Sequence, residues 1–182
     1  GRYHPDLVPL KNSNMLLGHH EMIDDLQELS NQLASVGHEL FIVSGFRNHL
    51  DQLRIWNDKV AGKRDVLDSD GNKLDITSLS DEVVVEHICR WSAIPGASRH
   101  HWGTDLDIIC KKSLPSEDYQ IQLTPEEVAD SGIFGKLHQE LDKIIGETNF
   151  FRPYSEDLGG VADRKSTRLN SSHQIISYAV FC

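Results

Sequence analysis

The sequence predicts an α+β domain, on three observations. Helical and strand-like apolar patterns both occur, they do not alternate regularly, and 182 residues with 38% apolar and 25% charged content suit one core. From Met15 to Val36 the apolar residues Leu16, Met22, Ile23, Leu26, Leu29, Leu33 and Val36 recur at helical spacing, and Gly37 closes the segment. LFIVSGF, from Leu40 to Phe46, is short, rich in β-branched and aromatic residues and bounded by polar segments, so it predicts a buried strand. A second helix is expected from His49 to Val60, with Leu50, Leu53, Ile55 and Trp56 as its apolar side and Gly62 ending it.

A polar excursion follows. DSDGNKLD, Asp68 to Asp75, invites a calcium-loop reading, but with Gly71 at the sixth position the first and twelfth would be Val66 and Thr77. Oxygen ligands are needed at both, so the segment reads as an Asp-Gly turn. Ser78 and Asp81 suggest a capping box for a helix through Val84, Val85, Ile88 and Trp91, which stops before Pro95 and Gly96. Thr124, Pro125 and Glu127 give the same start signal for a helical region towards Ile145, broken near Gly132. Between them, HWGTDLDIIC alternates Asp105 and Asp107 with Leu106 and Ile108, as a strand does.

The stretch from Asp163 to Cys182 changes abruptly to a Ser-rich basic run ending in an apolar string. It matches the in-frame translation of a sequencing adapter, in which GAT CGG AAG AGC would give Asp163 to Ser166. Residues 163–182 are therefore expected to be a foreign tail making few native-like contacts, leaving a domain of residues 1–162 incomplete at both ends. A divergent strand from Gln174 to Phe181 is the alternative.

The net charge of -10 excludes a phosphate-tracking surface, so no nucleic-acid partner is expected. No apolar run approaches the ~18 residues of a membrane-spanning helix. No basic or apolar leader pattern precedes Tyr3, so a secretory signal is expected either to be absent or to lie upstream of Gly1. Cys89, Cys110 and Cys182 show no C-x-x-C spacing, and Cys89 and Cys110 read as buried free thiols.

The most informative stretch is PGASRHHWGTDLDI, Pro95 to Ile108. A catalytic zinc takes nitrogen or oxygen ligands and keeps a position open for water, and His100 and Asp107 could supply two of the ligands. Seven residues apart on one strand they would face opposite ways, but a bend at Gly103 lets the flanking segments converge. SRHHWGTDLD resembles the Ser-x-His, Gly, Asp pattern of the VanY-like zinc D-alanyl-D-alanine carboxypeptidases. SGFRNHLDQL, Ser44 to Leu53, is similar to that family's Ser-Gly-Tyr-Arg box followed by Gln.

The resemblance implies a LAS-type metallopeptidase fold, a small antiparallel sheet flanked by helices. It implies Zn2+ held by His100 and Asp107, and Arg47 acting at the active site. Ser98 and Gln52 are expected on the substrate-binding side, Gln52 more as a hydrogen-bonding support than as a participant. A third zinc ligand and a general base are expected from a Glu-x-Trp-His segment after FFRPYSEDLGGVA (Phe150 to Ala162), where the adapter-like tail stands. The fragment is expected to be inactive for that reason.

The implied substrate is the D-alanyl-D-alanine end of peptidoglycan stem peptides, with the protein a monomer of the periplasm or cell envelope. A cell-wall endopeptidase of the same fold and a catalytically silent zinc- or peptidoglycan-binding module are the alternatives. His101 is expected in a supporting or surface role. His19, His20, His38, His49, His87 and His138 are expected to face solvent. Asp105 stands where the family usually has a small residue; a partner of the metal ligands and a remote solvated charge are equally open readings.

Overall fold

A computed structural model describes residues 6–152 and 168–171. Residues 153–167 and 172–182, including Cys182 and the Gln174 to Phe181 alternative, lie outside them. Strands β1 (Leu7–Pro9) and β2 (Leu17–His19) pair antiparallel, and helix α1 (Ile23–Ser35) follows. The helix expected from Met15 thus begins eight residues late. The backbone of Leu17–His19 is used in the β1 ladder, and a Cβ on Gly18 would run into Met22 Cε and lie 2.7 Å from Leu10 Cδ2. The periodicity itself is real, since Met22, Leu26, Leu29 and Leu33 are all buried. Each contributes about 1.5–3 kcal/mol by leaving water.

Strand β3 (Leu40–Ser44) leads to helix α2 (His49–Val60), capped by Asn48, whose side chain accepts from Asp51 N–H. The apolar side expected on α2 is only partly used. Leu50 is 74% exposed, Leu53, Ile55 and Trp56 are half-buried, and the buried residue is Gln52. Helix α3 (Asp81–Trp91) packs Val84 and Ile88 with Val66 and Trp56 in a small second cluster. Its cap is Ser80 rather than Ser78, whose hydroxyl is turned back to the Asp75 carbonyl. The Asp68 carboxylate closes the Asp-Gly turn by accepting from Asp70 and Asn72 N–H.

Strand β4 (Asp105–Cys110) is followed by the short helix α4 (Pro125–Val128), a break, helix α5 (Gly135–Ile144), strand β5 (Phe150–Phe151) and strand β6 (Arg168–Ser171). Glu127 anchors the start of α4, accepting from Tyr119 Oη and from Gln122 and Leu123 N–H. The sheet order is β3-β4-β6-β5, and all its pairings are antiparallel. Leu40, Ile42, Leu106, Ile108 and Cys110 join α1 and α5 in the main core. The other face of β4 presents Asp105 and Asp107.

Strand β6 is the part of residues 163–182 that the structure describes, and Arg168–Ser171 pairs on one side with Asp105, Leu106 and Asp107 and on the other with Phe150 and Phe151. The β4 edge explains this, because a row of unpaired N–H and C=O groups accepts an extended segment through backbone bonds that do not depend on side-chain identity. Cys110 is buried and Cys89 half-buried, both free thiols.

Candidate metal and peptidase site

Two local devices bring the candidate residues together. On β3 a bulge between Ile42 and Ser44 changes the register, so that Ile42 pairs with Ile108 but Ser44 pairs with Asp107. Val43 is the additional residue, and Ser44 thereby joins the face that carries Asp107. The second device is Gly103, which ends the 3₁₀ turn Arg99–Trp102 at φ 74°, in the left-handed region. Its Cβ-less Cα lets the chain pass tightly against β2, where His19 N–H donates to the Gly103 carbonyl at 2.8 Å. The chain then enters β4 with His100 folded back over it.

As a result His100 Nε2 lies 3.3 Å from Asp107 Oδ2, with His100 1% and Asp107 5% exposed. His100 Nδ1 faces the Asp105 carbonyl at 3.0 Å. A carbonyl only accepts, so the contact at Nδ1 calls for a proton there, while Nε2 faces the Asp107 carboxylate, which also only accepts. Two acceptors facing each other across 3.3 Å repel unless a proton or a cation lies between them. Two vertices of a tetrahedral zinc site with bonds of about 2.0–2.1 Å are separated by about 3.3–3.4 Å. The pair therefore fits two corners of such a site, with the distal ring N–H held by a carbonyl in the manner usual for metal-bound imidazoles. Among the described residues no group of three or more His, Cys, Asp or Glu side chains could hold a metal ion.

Arg47 follows β3 and is fixed from several sides. Its Nη1 donates to Gln52 Oε1 at 2.8 Å, its Nη2 to Ser44 Oγ at 2.9 Å, and its backbone N–H to the His100 carbonyl at 3.0 Å. Ser44 Oγ is in turn 3.5 Å from His100 Nε2, so it links the arginine to the His100–Asp107 pair. Gln52, 1% exposed, donates from Nε2 to the Ala93 carbonyl at 2.6 Å and so engages both ends of its amide within the protein. Ser98 is buried directly before the 3₁₀ turn.

His101 is a support for Arg47. Gly96 N–H donates to its Nε2 at 3.1 Å, which leaves the proton on Nδ1 to be donated to the Arg47 carbonyl at 2.6 Å. Asp105 is fully buried, with Oδ1 3.7 Å from Arg99 Nε and Oδ2 3.7 Å from His100 Nδ1. The solvated reading of Asp105 is thereby excluded.

Sequence reasoning missed two residues. Ser44 was recognisable only as part of its motif, because the bulge that turns it to the site has no sequence signature. His138 was expected in solvent, but α5 buries it against Arg152, whose Nη1 donates to His138 Nδ1 at 2.7 Å. Burial first, and the neighbouring guanidinium second, push its pKa down to about 3.

The antiparallel sheet β3-β4-β6-β5 with α1 and α5 packed on it is the small-sheet-and-helices architecture that the motifs lead one to expect. The family model described as VanY, D-alanyl-D-alanine carboxypeptidase, matches residues 16–164, and the chain belongs to that family. Among solved structures it is similar to VanYB in complex with D-alanine-D-alanine, with TM-score 0.66 and 20% identity over 94% of this chain and 79% of that one. It is also similar to a mutant of the vancomycin resistance D,D-pentapeptidase VanY from the VanB-type cassette, in complex with Zn(II), with TM-score 0.64 and 20% identity over 91% of this chain and 78% of that one. An uncharacterised protein of Haemophilus influenzae is 38% identical over 61 residues, 34% of this chain and 46% of that protein, so the match spans less than half of that relative. No helix among the described residues is long and apolar enough to cross a membrane.

Proposed function

We propose that the chain is a zinc-dependent D,D-carboxypeptidase domain acting on D-alanyl-D-alanine ends of peptidoglycan stem peptides, as a monomer at the cell envelope. The observation that carries the reading is the 3.3 Å approach of His100 Nε2 to Asp107 Oδ2. These two residues would hold Zn2+, and a bound zinc ion supplies a water whose pKa is lowered to about 7. Arg47, held by Ser44 and Gln52, stations a positive charge beside the pair, where it would stabilise negative charge developing on the scissile carbonyl oxygen. Gln52 orients Arg47 from within the protein, and Ser98 is the candidate for contact with substrate.

The third ligand and the general base belong to the Glu-x-Trp-His segment that the family resemblance places after Ala162. Residues 163–182 contain neither Glu nor Trp. In this reading they are a foreign stretch, and the polypeptide as given binds zinc weakly and turns substrate over negligibly.

The test replaces residues 163–182 by a segment containing Glu-x-Trp-His and measures D-alanine release from a D-alanyl-D-alanine peptide, with and without chelator. Release that the chelator abolishes supports the reading. Zinc binding without release identifies a silent binding module, and release unaffected by chelator rules the zinc mechanism out.

A further inference from the structure

We infer that Asp105 is a positioning residue for His100, one that keeps the imidazole proton on Nδ1 and the Nε2 lone pair directed at the gap shared with Asp107. The inference takes its purpose from the proposed metal pair, but its geometry is independent of that reading. His100 lies between two carboxylates. On one side Asp107 Oδ2 is 3.3 Å from Nε2 and would accept a proton placed there. On the other side Nδ1 meets both the Asp105 carbonyl at 3.0 Å and Asp105 Oδ2 at 3.7 Å. The ring must choose which nitrogen carries its proton, and a carboxylate near each makes that a competition.

A carbonyl alone on the Nδ1 side opposes a full negative charge on the Nε2 side. The Asp105 side chain adds the second charge and restores the balance in favour of Nδ1–H. A small side chain at this position would leave the carbonyl alone. The placement of Asp105 is itself supported. Arg99 Nε stands 3.7 Å from its Oδ1, and the Arg99 guanidinium packs over the rings of Trp102 and Phe151 at 5.6 and 5.9 Å. A guanidinium between two rings has little freedom to leave. The sequence Arg99, Asp105, His100, Asp107 is thus a relay of position, in which each group fixes the orientation of the next.

The experiment uses the full chain, metal-free and 15N-labelled, at a pH above the imidazole range so that the ring is neutral. Imidazole nitrogen shifts of His100 report which nitrogen is protonated. In the unsubstituted chain the proton is expected on Nδ1. In Asp105→Asn, which keeps shape and backbone carbonyl but removes the charge, the ratio is expected to move towards Nε2–H by about tenfold or more. Zinc affinity, measured by competition with a chromophoric chelator, is expected to fall about 10–100-fold in the same variant. Should Asp105→Asn not fold, Arg99→Gln removes the support from a partly exposed position and is expected to move the ratio in the same direction by less. A proton already on Nε2 in the unsubstituted chain, or a ratio unmoved in the folded variants, overturns the inference. A shifted ratio in a chain that takes up no zinc upholds the positioning of His100 and overturns the zinc reading alone.

Discussion

Arg152 donates from Nη1 to His138 Nδ1 at 2.7 Å and from Nη2 to the His138 carbonyl at 3.1 Å, tying the strand-proximal segment after β5 to the buried side of α5. The first of these bonds requires an unprotonated Nδ1. Burial first, and the positive charge of Arg152 second, hold the folded-state pKa near 3, below the ordinary imidazole value of about 6.5. The unfolded chain therefore binds the proton more readily, and stability is lost as pH falls from the unfolded value towards the folded one. Above about pH 6.5 the group contributes no slope. Between about pH 6.5 and 3 it contributes a loss of up to about 1.4 kcal/mol per pH unit. His138→Gln should flatten the fall in urea midpoint between about pH 7 and 5. An unchanged slope would show that His138 is not the group being protonated.

Gly103→Ala tests the bend that folds His100 over β4. The residue has φ 74°, and a Cβ would lie 2.7 Å from Leu7 Cδ2 and 3.2 Å from the His19 backbone nitrogen. Strain in the left-handed region and displacement of β1 and β2 should cost about 1–3 kcal/mol in chemical denaturation. A loss below about 0.5 kcal/mol would mean that the turn accepts a side chain and that the glycine does not set the geometry.

Gln52→Leu tests the support of Arg47. The substitution leaves the Ala93 carbonyl and one Arg47 donor without their partner in a buried setting, and a loss of about 1–3 kcal/mol is expected. The Arg47 side-chain NMR signals should broaden or shift at the same time. Full stability with an unmoved Arg47 would show that Gln52 does not set its orientation.

The legible part of this protein lay where pattern and chemistry coincide. A short β-branched run marked β3 and alternation marked β4, and His49, Thr124 with Pro125, and the terminating Gly62 lie at or beside real helix boundaries. The SRHHWGTDLD and SGFR segments pointed to residues that the fold brings side by side. What stayed hidden depends on neighbours distant in sequence. The start of α1 is moved by a ladder to β1, and Leu50 faces water because α2 turns Gln52 inward to serve Arg47. Ser44 reaches the site through a one-residue bulge, and His138 is buried by the residue that accompanies it from 14 positions away. The place of Arg168–Ser171 in the sheet follows from an open strand edge rather than from any pattern in those residues.

The most direct measurement is a calorimetric zinc titration of the metal-free full chain beside His100→Ala and Asp107→Ala. A single weak site in the unsubstituted chain that disappears in both variants, while their unfolding midpoints without metal stay within a few degrees, is the expected result. Equal zinc uptake by all three proteins would place any metal elsewhere and contradict the assignment of His100 and Asp107.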